Sequence, residues 1–236
     1  MKKVVSQKKE GVEAVDRALS VLRAFDAGHC EMTLTDLAAR TGLYKSTVLR
    51  LTASLEAGGC LVRGEDRVYR LGPELWRLGS IYRRGVDIDL GEFIRPALRR
   101  IVDATTETAS FYVRDGEERI CLYRINSPRA VRHHLDEGQR LPLALGAAGR
   151  VLRAYTEPDW PGGTGIRKRG ECISLGERDP EVGAAAVPVL DREGKLRGAL
   201  TVSGILSRFG KPAQAAALDA LKSAASELGA TLPPAD

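Results

Sequence analysis

The sequence predicts an α+β chain of two domains, a small helical one closed by a β-hairpin and a larger mixed one, with a helix between them. Three observations predict it. Apart from a hairpin near residues 60–71, apolar residues recur at helical steps up to residue 105 and at strand-like steps from residue 108. The 236 residues give room for two domains of ordinary size. The charge is also uneven. Residues 1–85 hold 15 Lys/Arg against 10 Asp/Glu, whereas residues 86–236 hold 21 of each, so the whole net charge of +5 lies in the first part. The expected boundaries are 1–72, 73–89 and 90–236.

In chain order, the lysine-rich stretch 1–10 reads as an arm. Val12, Val15, Leu19, Leu22 and Phe25 then mark the apolar side of a first helix ending near Gly28. A second helix follows, with Thr35 as its expected cap and Leu37 and Ala38 inward; Gly42 is the connector. In a third helix Tyr44, Val48, Leu51 and Leu55 form one apolar stripe, with Lys45, Ser46, Leu49, Arg50 and Ala53 opposite. Gly58 and Gly59 end it. Cys60–Val62 and Val68–Leu71 flank the polar tip Arg63–Arg67, a hairpin signal. Helix, turn, helix and hairpin together make a winged helix. Its partner is double-stranded DNA, because phosphates take Lys, Arg and Ser while base edges take Arg, hydroxyls and apolar contacts to the thymine methyl. The expected DNA contacts are Lys45, Ser46, Thr47, Leu49, Arg50, Arg63 and Arg67.

Beyond the wing, Gly72-Pro73 opens a connecting helix with Leu75, Leu78 and Tyr82 on one face, a candidate dimer surface together with Trp76. The next helix, Leu90 to Thr105, turns Phe93, Ile94, Ala97, Leu98 and Ile101 one way and Arg95, Arg99 and Arg100 the other. Ala109–Val113 and Ile120–Ile125 flank the turn dipeptide Asp115-Gly116. Val131–Leu135 reads as a strand, Gly146 to Tyr155 as a helix with a small-residue start, and Glu157–Gly165 as a Pro/Gly-rich loop. A strand pair, Ala184–Leu190 and Leu196–Val202, precedes a last helix from about Ala213 to Leu232. Helices bracketing a mostly antiparallel sheet leave room for a pocket between sheet and loops.

With these elements placed, the chain resembles the IclR family of bacterial transcriptional regulators over nearly its full length. The resemblance rests on TGLYKSTVLRL, YRLGPELWRLG, TETASFYVRDGEERICLYRINSP, LPLALGAAGRVL, VPVLDREGKLRGALTVSG and the SRF that follows. It implies a winged helix joined by a helix to a GAF-like effector-binding domain, in homodimers or dimers of dimers acting on palindromic operators. Such proteins control catabolic operons in response to small carboxylates, often organic or aromatic acids. It also implies an effector pocket in which the amides of Ala147 and Ala148 hold the acid group, joined by the hydroxyls of Thr201 and Ser203. Gly146 and Ala184 occupy positions where the family often carries a hydroxyl and a cysteine, and Ala144 one where it often carries a histidine. Small residues at all three suggest a roomier pocket, hence an acid with an apolar body.

Catalytic readings find little support. No G-x-S-x-G or H-E-x-x-H is present, and Gly162–Gly165 lacks the G-K-[ST] of a phosphate loop. His133 and His134, as neighbours on a strand, would face opposite ways, and Glu177, Asp179 and Glu181 read as a solvated loop. The four cysteines have no metal-ligand spacing, so neither a metal nor a cofactor is expected, and reduced thiols point to the cytoplasm. Two alternatives stay open: a DNA-binding structural protein without small-molecule input, and a ligand-transforming enzyme fused to a winged helix.

Overall fold

The computed structural model describes residues 11–26, 28–85 and 90–233, in two compact units spanning 1–86 and 87–236. The arm at 1–10 lies outside the described residues. The first unit contains α1 (Glu13–Arg23), α2 (Leu34–Thr41), α3 (Lys45–Ala57), the hairpin β1 (Leu61–Arg63) and β2 (Tyr69–Leu71), and α4 (Pro73–Gly85). Its core is Val21, Ala24, Met32, Leu37, Val48, Leu61 and Tyr69. Thr33 caps α2, not Thr35. Its hydroxyl accepts from Asp36 N at 3.3 Å while the Asp36 carboxylate accepts from Thr33 N at 2.9 Å. The reciprocal pair satisfies two donors at once, which a single Thr35 hydroxyl inside the first turn could not do.

Two stripes differ from expectation. On α1 the fully buried residue is Val21, whereas Val12, Val15 and Leu19 are 68%, 54% and 40% exposed. On α3, Tyr44 is the extended residue before the helix and is 85% exposed, so the seam begins at Val48. Thr52 completes the seam. It is fully buried, with its hydroxyl 3.3 Å from the Tyr69 hydroxyl of β2. Backbone bonds between Met32 and Tyr69 at 3.0 and 2.8 Å tie the same residue to the segment before α2. The wing is thus fastened to the third helix through one tyrosine.

The second unit contains α5 (Leu90–Thr105), β3 (Thr108–Asp115), β4 (Glu118–Ile125), β5 (Arg140–Pro142), α6 (Gly146–Thr156), α7 (Gly163–Arg169), β6 (Cys172–Leu175), β7 (Val182–Leu190), β8 (Leu196–Ile205) and α8 (Lys211–Thr231). Its six strands form one antiparallel sheet in the order β5-β4-β3-β8-β7-β6. The period of two on each strand sorts residues between two cores. Phe111, Ala185, Val187, Leu200 and Val202 pack with Ile94, Leu98 and Ile101 of α5 and Leu221 and Leu228 of α8. Tyr112, Ala186 and Ala199 pack on the other face with Val151 and Leu152 of α6 and Ile166 of α7.

The expected strand Val131–Leu135 is irregular chain. The backbone bonds to β4 come after this segment, at Gly138 and Gln139 with Cys121, and the His133 carbonyl accepts from the Arg124 guanidinium instead of joining a ladder. The loop expected through Gly165 already becomes α7 at Gly163, whose bare Cα packs on Ala154. The short strands β5 and β6 went unread because three or four residues carry too little pattern. Among the described residues, no helix is long and apolar enough to cross a membrane.

Candidate functional site

The first unit presents an exposed cationic face. Lys45, Ser46 and Arg50 on α3 and Arg63 and Arg67 on the wing are exposed, Thr47 is half-buried and Leu49 is 46% exposed. Several arginines of this unit are already paired: Arg17 with Glu13, Arg40 with Asp26, Arg70 with Glu31 and Asp66, Arg77 with Glu74. Among the described residues, the side chains of Lys45, Arg50 and Arg67 meet no carboxylate. Arg63 lies over the Tyr69 ring at 5.3 Å, which aims it along the hairpin. Arg67 sits at the tip with φ +59°, a left-handed turn that turns the chain back into β2. No side chain caps α3, so its first amides are open to an anion. Tyr44, read from sequence as core, stands exposed beside Lys45 and joins this face.

The second unit holds a cavity of about 40 Å³ between the sheet, the start of α6 and the loop after β6. Gly146, Ala147, Ala148, Ala184, Thr201 and Ser203 all line it, so these six expected pocket residues are brought together. The sheet register explains how. Ala184 pairs with Ser203 and Ser203 with Thr108; Ala186 pairs with Thr201 and Thr201 with Ser110, so two adjacent rows form one floor. Gly146 opens α6 at φ +79°, which a side chain would strain. Ala144 is exposed and does not line the cavity.

The lining also contains polar groups that the sequence reading missed: Tyr112, Arg119, His133, Ser174, Arg178 and Asp179. Glu177 is no solvated loop residue, because its carboxylate accepts from Gly146 N at 3.1 Å and pairs with Arg150 at 3.1 Å. Ser174 Oγ accepts from Ala147 N at 3.1 Å. Arg119 donates to the carbonyls of Pro142 and Leu145 and lies 5.5 Å from the Tyr112 ring centre. Burial pushes its pKa down and that of Tyr112 up to about 12. Among the described residues, three buried polar atoms have no hydrogen-bond partner: Arg119 Nε, His133 Nδ1 and Thr201 Oγ1. All three residues line this one cavity. Unmet buried polar atoms cost free energy, and a polar group brought against them offsets that cost. One sequence signal was available: Arg119 shares a strand face with the buried Cys121 two places on.

His133 turns inward where the sequence suggested an ordinary strand residue. Its Nε2 accepts from Arg178 at 2.7 Å, which leaves the ring proton on Nδ1. Burial first, then Arg178 and Arg124, hold its pKa down at about 4 against an ordinary 6.5, with Asp179 opposing and His134 adding slightly. The unfolded chain therefore binds a proton between about pH 6.5 and 4 that the folded chain refuses, and stability falls as pH falls through that window. His133→Gln should flatten this stretch of the acid-stability curve. Equal slopes for parent and variant would refute it.

The sequence matches two family descriptions: "IclR helix-turn-helix domain" over residues 14–65, and "Bacterial transcriptional regulator IclR C-terminal" over residues 86–160 and 164–230. The chain belongs to the IclR family. IclR-family members are DNA-binding transcriptional regulators, some of which bind small-molecule effectors. Among relatives, the regulator BhcR of Paracoccus denitrificans is 28% identical over 250 residues, covering 95% of this chain and 88% of its own. A solved IclR-type regulator from Silicibacter sp. TM1040 is 28% identical at a TM-score of 0.63, covering 94% of this chain and 98% of its own. An IclR homologue from Microbacterium hydrocarbonoxydans, solved with 4-hydroxybenzoate, shares the fold at a TM-score of 0.67 and 23% identity, covering 91% and 98%. The relatives of this IclR chain are transcriptional regulators, which are not enzymes.

Proposed function

We propose that this chain is a cytoplasmic, sequence-specific regulator of a catabolic operon, controlled by a small organic or aromatic acid bound in the second unit. The observation that carries the DNA reading is the face of unpaired cations on α3 and the wing. Cations left without carboxylates beside an uncapped helix start suit phosphate and base edges far better than a structural role. The solved relative with 4-hydroxybenzoate and the polar atoms without partners in the cavity support an acid effector. Trp76, Leu78, Ile81 and Tyr82 of α4 are 75%, 46%, 52% and 50% exposed, an apolar surface that favours a homodimer or a dimer of dimers. A two-fold dimer reads a palindromic operator.

The test is footprinting of the purified chain on DNA flanking its own gene, with titration of variants. Two protected half-sites about one helical turn apart, or a multiple of it, are expected. Arg50→Ala should weaken operator binding by about 1–3 kcal/mol and relax specificity at one base pair. Lys45→Ala should weaken all sequences alike and reduce the salt slope by about one. The reading fails if both variants bind as the parent does. A purely structural DNA-binding protein is disfavoured by the cavity, and would show operator affinity indifferent to every acid tested.

A further inference from the structure

Resting on the reading of the cavity as an acid-effector site, we propose that Arg119, with Thr201 lining the same cavity, takes the acid group of the effector, and that the first two amides of α6, at Gly146 and Ala147, do not. Those amides are already committed. Gly146 N donates to the Glu177 carboxylate and Ala147 N to Ser174 Oγ, each at 3.1 Å. Glu177 is held in turn by Arg150 at 3.1 Å. A ligand carboxylate arriving there meets a charge of its own sign and displaces an existing ion pair.

Arg119 offers the opposite situation. It is 4% exposed, and among the described residues no carboxylate pairs with it. Two carbonyls accept from Nη1 and the Tyr112 ring lies against it, yet Nε has no acceptor. Thr201 Oγ1, on a residue 5% exposed, also has no partner and lines the same cavity. A buried cation without a counter-charge is costly in isolation, and an anion against Nε removes that cost. The lining charges agree: two arginines, Arg119 and Arg178, face one carboxylate, Asp179, which leaves one positive charge to be met. The cavity, about 40 Å³, is small and lined largely by polar groups. The ligand class that fits is a compact monoanionic acid with a polar second end towards Arg178 and His133, smaller and more polar than the open pocket expected from Ala144, Gly146 and Ala184.

The experiment is a titration of the full chain with acetate, followed by its melting temperature, with acetamide as neutral isostere and chloride at equal ionic strength as salt control. Acetate is expected to raise the melting temperature of the parent, and acetamide and chloride are not. Arg119→Gln should weaken acetate binding about thirtyfold or more. Arg119→Lys should restore part of it, which a merely misfolded site would not. Glu177→Gln, which removes a like charge nearby, should bind acetate at least as tightly as the parent. The proposal is overturned if the parent does not distinguish acetate from acetamide, or if Arg119→Gln binds as the parent while Glu177→Gln loses binding. Operator affinity indifferent to every acid would instead overturn the regulatory reading and leave the acetate result standing.

Discussion

Phe111→Ala should lower the unfolding free energy of the second unit by about 3–5 kcal/mol. Phe111 is fully buried in the middle of β3, one of the two central strands of the sheet. Its ring stacks against Tyr123 with centroids 6.5 Å apart and belongs to the core under α5 and α8. The chain at Gly198 is built around that ring: a Cβ there would lie 2.4 Å from Phe111 Cζ, so β8 relies on glycine to approach it. Truncation leaves a void bounded by strands on both sides, and strands locked in a ladder cannot collapse into it. Urea unfolding followed by the fluorescence of Trp160, in a Trp76→Phe background, measures the loss for this unit alone. A loss of less than about 1 kcal/mol would show that the site collapses freely and that Phe111 is not central to the core.

Gly149→Ala should cost about 3 kcal/mol, at the upper end of what overpacking does, and should disturb the cavity as well. A Cβ on Gly149 would lie 2.1 Å from the Leu143 carbonyl oxygen and 2.7 Å from Arg119 Nη1. The carbonyl has little freedom, because Leu143 is 1% exposed and its N–H donates to Glu117 O at 3.0 Å. The helix must therefore move away from the Pro142–Leu145 corner. That carries off the Leu145 carbonyl on which Arg119 Nη1 rests, at 2.6 Å. The same fluorescence assay reads the stability, and acetate titration reads the site. A variant as stable as the parent would mean that α6 tolerates a methyl at its closest approach.

What was legible in the sequence follows from how locally each feature is encoded. The hairpin β3–β4, the pair β7–β8 and helices α5 and α8 announce themselves by period and by turn residues within a few positions. The exposed cationic face was equally readable, since a short helix and its wing carry it, although Tyr44 was misplaced because residue 44 precedes the first turn and lies off the stripe. The pocket was half legible. Thr201, Ser203 and Ala184 follow from strand alternation and family likeness, but Arg119, His133 and Arg178 come from three separate segments and meet only through the sheet order. No periodicity marks an arginine whose partner is a cavity. Glu177 shows the same limit: in sequence it stands among acidic neighbours, and in the fold it closes the first amide of a helix 31 positions earlier.

The alternation along β8 has a consequence for how such a protein can change over evolutionary time. Leu200 and Val202 are answerable to folding, because they pack with the core of α5 and α8, whereas Thr201 and Ser203 line the cavity. One strand thus separates two selective pressures by the pleat alone. Exchanges at 201, 203 and 184 reshape the cavity without touching the residues that keep the sheet on its helices. A lineage carrying this scaffold can therefore remodel the cavity by a few substitutions on one side of the sheet, while the other side holds the fold constant.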